Sequence, residues 1–163
     1  MFKSFKNYYF IILLIIFSCS DGQEKQEYES AIVLESIVLP KIINETSGLE
    51  ILNEVFITHN DSGGEPSLYF FNLNGEIINS IKLVEESFWK IYNNDWEDIT
   101  KDEDYLYVAN MGNNLDNRKN LSIFKVPIDT SNDQVEEIEF NYPEQVKFIT
   151  LEKSSQYDAE GLI

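Results

Sequence analysis

The chain has 163 residues, of which 29 are acidic and 12 basic, and its formal net charge is −17. With 43% hydrophobic and 13% aromatic residues it carries apolar mass for about one domain, which excludes a globally disordered chain. The charge makes nucleic acid and anionic headgroups poor partners and cations good ones.

The first residues stand apart from the rest. Lys3 and Lys6 precede an apolar run from Tyr8 to Phe17, which meets Ser18, Cys19 and Ser20. That is the layout of an export signal. A run of about ten residues is too short to cross a hydrocarbon core of about 30 Å. The stretch "LLIIFSCSDG" resembles the lipobox of bacterial lipoproteins, with the single cysteine at the cleavage point. The resemblance implies that residues 1–18 are a lipoprotein signal peptide, that Cys19 is lipidated, and that residues 19–30 form a polar tether. The expected location is the cell envelope, with the membrane engaged through the N-terminal lipid. The other reading of Cys19 is an incidental thiol. Cleavage would remove Lys3 and Lys6 and no acid, so the remainder is still more negative. One cysteine allows no internal disulfide, and with one histidine beside it a zinc site of the usual composition is excluded.

Residues 31–163 read as short strands. "SAIVLESIVL", "EVFITHN", "SLYFFNLNG", "EIINSIKLV", "DYLYVANMG", "LSIFKVP" and "QVKFITLE" are rich in β-branched and aromatic residues, and turn-forming residues bound them. Only "VEESFWKIYNN" has a weak helical period. Asn74-Gly75 predicts a two-residue hairpin turn with positive φ at both positions. The fold class is all-β.

The strands repeat. Setting residues 47–64 over residues 97–114 aligns Leu49 with Ile99, Val55 with Tyr105, Ile57 with Tyr107 and Asn60 with Asn110. "SLYFFNLNG" and "LSIFKVPID" correspond further on, and a third copy begins at "YDAEGLI". Repeats of this kind build propellers. Because the third unit breaks off, the chain is read as the N-terminal part of a longer protein.

"ETSGL", "HNDSGG", "LYFFNLNGEI", "NDWEDI", "LYVANMGNN", Arg118, "LSIFKVP" and "YDAEGL" together resemble the opening blades of secreted bacterial β-propeller proteins of the NHL-like or WD40-like kind, similar to phytase-like esterase propellers. The resemblance spans roughly residues 41 to 163. It implies four-stranded antiparallel blades, with about the first two present in residues 31–163.

In such a frame, equivalent turns of successive blades face one another around the axis. Asp95, Glu97 and Asp98 occupy one turn, and Asp158 and Glu160 occupy the same place in the third unit, where the first offers Glu45 and Ser47. Converging carboxylates repel unless a cation offsets them, and calcium takes six to eight oxygens of this type. These five acids are therefore candidate calcium ligands. The alternative is architectural: Asp95 and Asp98 accept backbone N–H groups in a turn while Trp96 packs between blades.

Asp61, Asn113, Asn114 and Arg118 are candidate ligand contacts. Arg118, the only arginine, can pair with Asp116, with the acids of the turn or with a phosphate. His59 reads as a loop hydrogen-bonding residue, since the neighbouring Ser62 lacks the strand-to-helix elbow of a nucleophile.

Three function classes remain. One is a membrane-anchored binding or scaffolding propeller with an unknown protein or small-molecule ligand. Another is a calcium-dependent phosphoesterase of the phytase-like kind. The last is a truncated reading frame without a folded role. The scarcity of basic residues favours the first.

Overall fold

The computed structural model describes residues 30–83, 91–129, 134–148 and 156–163. The chain divides into two compact units, Met1–Leu34 and Glu35–Ile163. Of the first, only residues 30–34 are described, and they are exposed and irregular. Residues 1–18, read from the sequence as a signal peptide, and Cys19 lie outside the described residues. Among the described residues no helix is long and apolar enough to cross a membrane.

The second unit is all-β among its described residues. Strands β1 (Thr46–Leu52), β2 (Val55–Asn60), β3 (Ser67–Phe71) and β4 (Ile77–Lys82) form one antiparallel sheet in chain order. Strands β5 (Asp98–Lys101), β6 (Tyr105–Asn110), β7 (Leu121–Pro127) and β8 (Glu136–Phe140) form a second sheet of the same order. The repeat read from the sequence thus corresponds to two sheets of identical connectivity, with β2 and β6 on the aligned segments. Each middle strand turns alternate side chains inward, as β-branched and aromatic residues on a pleated surface favour.

One apolar cluster joins the sheets. Ile57 and Leu68 enter it from the first sheet, and Ile99, Leu106, Val108, Phe124 and Val126 from the second, with Trp96 fully buried among them. On the other face of the first sheet, the rings of Phe56 and Phe71 stack with centroids 5.3 Å apart beside Ile43 and Tyr69.

Several local expectations are corrected. "SAIVLESIVL" is not a strand: residues 30–39 are irregular, and Ile32, Val33, Leu34 and Val38 are exposed. A β-branched run forms a strand only where a neighbour completes its ladder, and no described strand pairs with this one. Strands β1, β5 and β8 were hidden because they are short or mostly exposed. Residues 145–148 are irregular too, and the rest of "QVKFITLE" lies outside the described residues. In "VEESFWKIYNN" residues 91–94 are not helical, and 84–90 lie outside the description.

The Asn74-Gly75 hairpin does join β3 to β4, but through a different turn. The Gly75 N–H donates to the Asn72 carbonyl over 2.9 Å, and Asn72 Oδ1 accepts from the Asn74 and Glu76 amides. Only Gly75 has positive φ, at 78°. The two-residue turn with both residues left-handed occurs instead at Asn53 (φ 48°) and Glu54 (φ 66°), between β1 and β2. Glutamate pays a steric cost there that glycine does not. Glu54→Gly is expected to stabilise the unit by about 0.5–1 kcal/mol, read as a higher urea midpoint at unchanged slope.

Candidate functional site

Residues 93–97 strap the first sheet to the second. Asn93 Nδ2 donates to the Asn60 carbonyl over 2.7 Å, Ser62 and Asn94 form an isolated bridge, and the Trp96 N–H donates to the Asp61 carbonyl over 2.8 Å. The hydroxyl of Ser47 donates to the Trp96 carbonyl. On the far side the Glu97 N–H donates to the Ala109 carbonyl, which begins the β5–β6 ladder. The strap passes Asp95 through positive φ, at 75°. Trp96 then points into the core, edge-on to His59 at 5.6 Å between ring centroids.

The carboxylates gather on the other side of the strap. Asp61, Asp95 and Glu97 each offer an oxygen, all within 4.8 Å of one another, and so do Glu97, Asp158 and Glu160. Glu97 belongs to both groups and is only 8% exposed. The segment of residues 156–163 is brought here by backbone bonds. The Asn113 amide donates to Asp158, Asn113 Nδ2 donates to the Tyr157 carbonyl, and the Leu162 amide donates to Asp98. Gly112 lies beneath the acids, where a Cβ would overlap the side chains of both Glu97 and Asp95.

Of the five acids read as metal ligands, four meet here: Asp95, Glu97, Asp158 and Glu160. Asp98 stands apart, with its oxygens on the Ile99 and Leu162 amides at 2.8 Å each. Adjacent residues of an extended strand point to opposite faces, so Glu97 and Asp98 cannot both turn inward. Asp61, read only as a ligand contact, joins the acids instead, and its Oδ1 is buried without a hydrogen-bond partner.

The electrostatics follow from this crowding. Burial, then the hydrogen bond and charge of Glu160, then the charges of Asp95 and Asp61, push Glu97 from its ordinary 4.5 up to about 8. Burial and then Asp95, Glu45 and Glu160 raise Asp61 also. The charges that raise both groups are all carboxylates, and Arg118, which feels Asp95 and Glu97, donates no hydrogen bond to them. The folded state therefore holds a proton on Glu97 that the unfolded chain has released above about 4.5. Stability is expected to fall as pH rises from about 4.5 to about 8, and Glu97→Gln is expected to flatten that fall. Solvent screening holds the change to on the order of 1 kcal/mol. Thermal unfolding in chelator across this pH range checks both.

Arg118 does not ion-pair with the turn. Its guanidinium donates to the carbonyls of Asn94, Gly112, Asn110 and Asn120 and to Asn110 Oδ1, at 2.8–3.2 Å. Burial lowers its pKa, partly offset by Asp95 and Glu97. It is a staple for the loop of residues 110–120. Asn113 is similarly committed, with its Oδ1 accepting the Arg118 amide, whereas Asn114 is exposed. A cavity of about 600 Å³ opens here beside Asn94, Asp95, Asn113, Asn114 and Arg118. Its further walls, Asn117 and Asn120, were not read as ligand contacts from the sequence, although the asparagine density of "GNNLDNRKN" marks them.

His59 is corrected from a loop residue to a fully buried one inside β2, its Nδ1 3.1 Å from the Asn60 carbonyl and its pKa lowered mainly by burial. After Ser62 the chain turns at Gly63, which has positive φ, at 73°.

No family model matches the chain, and no curated protein and no solved structure matches it either.

Proposed function

We propose that the chain is a cell-envelope lipoprotein anchored through Cys19, that its two sheets are successive blades of a β-propeller, and that it serves as a binding or scaffolding module whose acidic pocket holds calcium. Two sheets of the same strand order, one after the other along a repeating sequence, support the blade reading. The observation that carries the cation is Glu97, shared by two triads of carboxylates, while Arg118, whose charge reaches it, donates its hydrogen bonds to carbonyl and amide oxygens and not to the acids.

The donors fit the ion. All are hard oxygens, and the buried Asp61 Oδ1 lacks a partner that a cation would replace. Calcium accepts irregular sets of carboxylates and carbonyls, whereas magnesium keeps near-octahedral geometry and most of its waters. Asp61, Asp95, Glu97, Asp158 and Glu160 would hold it. Bound there, calcium supplies a fixed positive charge that tolerates ionised Glu97 and ties residues 156–163 to the strap.

The phosphoesterase reading has weaker support, because Arg118, the one arginine, is already spent on carbonyl oxygens. Thermal unfolding with and without calcium tests the proposal. At free calcium one hundred times its dissociation constant the folded state gains about 2.7 kcal/mol. The midpoint should rise accordingly, and Asp95→Asn combined with Glu97→Gln should abolish the rise. A midpoint indifferent to calcium contradicts the cation, and would leave the acids as architecture.

A further inference from the structure

We infer that the asparagine-lined cavity beside the strap, together with the aromatic recess next to it, is a binding site for a neutral glycan. The cavity of about 600 Å³ and a second of about 290 Å³ share Arg118 and Lys119 as a common wall. Both are of the size that takes small organic ligands, about 300–1,000 Å³.

The polar side of the site is made of amides. Asn94, Asn114, Asn117 and Asn120 are exposed, and their side chains make no hydrogen bond to another described residue. An amide offers two donors and an accepting oxygen, which matches a sugar hydroxyl, itself donor and acceptor, better than a charged side chain does.

The second recess supplies the apolar counterpart. Phe140 and Tyr142 are half-buried along it, edge-to-face at 5.9 Å. Rings held by their neighbours present a flat face at little entropic cost, which suits the C–H face of a pyranose. The sugar that lies on the rings would hand its neighbour to the amides.

Charge selects a neutral ligand. Both terminal nitrogens of the Arg118 guanidinium donate to protein oxygens, and Lys119 Nζ sits 4.5 Å from the centroid of the Phe148 ring. With the Arg118 terminal nitrogens and the Lys119 ammonium turned to protein groups and a formal net charge of −17 behind the site, the groups left to meet a ligand are the amides, which favour a polyhydroxylated neutral one. The inference does not depend on a cation at Glu97.

Isothermal titration of the purified full chain with cellohexaose, laminarihexaose, mannohexaose and maltohexaose, in the presence and absence of EDTA, tests it. At least one is expected to bind, equally well in EDTA. The variant Asn114→Ala with Asn117→Ala, at two exposed loop positions, should weaken that binding roughly tenfold or more at an unchanged melting temperature. Failure of all four to bind at millimolar concentration would overturn the inference, as would full affinity in the double variant. Loss of binding in EDTA would place the sugar on a cation instead of the amides, and would overturn it too.

Discussion

Replacing Trp96 with alanine is expected to destabilise the unit by about 3–5 kcal/mol, the range for large aromatic-to-alanine changes in a core. Trp96 is fully buried and touches both sheets, with His59 on one side and Phe124 on the other at 5.7 Å between centroids. Its backbone is a tie as well, donating to Asp61 and accepting from Ser47. The cavity left by alanine would sit where the two sheets meet, so relaxation has to move one sheet against the other. Because the indole Nε1 has no partner, Trp96→Phe should cost much less than alanine. Denaturant unfolding measures both. Equal losses for phenylalanine and alanine would mean that the indole nitrogen, and not the bulk of the ring, holds the site.

Arg118→Ala should cost about 3 kcal/mol. Its hydrogen bonds to Asn94, Gly112, Asn110 and Asn120 satisfy carbonyls that leave the ends of the strands, and each bond carries the charge of the guanidinium. Lysine keeps the charge but cannot span the fork, so Arg118→Lys should recover only a minor part of the loss. If the residue acted chiefly by offsetting Asp95 and Glu97, lysine would rescue most of it. Unfolding curves of the two variants therefore separate a fork of hydrogen bonds from a point charge.

The middle strands were legible in the sequence and the outer ones were not. β2, β3, β6 and β7 bury residues on at least one face, so their side chains follow the period of a half-buried strand. β8, "EEIEF", is exposed along four of its five residues. An edge strand that faces water carries no apolar alternation to read, and its glutamates discourage pairing with another chain. β5 is only four residues long and begins inside the acidic turn, which disguises it. The gathering of acids was readable from their density around Trp96. Which acids meet was not, because that depends on the face to which each residue of the strap turns. Asp61 lies far from the strap in sequence and reaches it through the Trp96 amide and the adjoining Ser62–Asn94 bridge. Arg118 looked like half of an ion pair because sequence names its charge and hides the carbonyls left open by the loop.

The most direct test of the acidic pocket is isothermal titration of calcium into the full chain near pH 7, carried out in two buffers of different ionisation enthalpy. Glu97 is held up to about 8, so an ion bound there has to displace its proton. The account predicts binding to one site, with roughly one proton released and both signals lost in Glu97→Gln. Absence of binding, or binding that the Glu97→Gln variant retains without proton release, would contradict it.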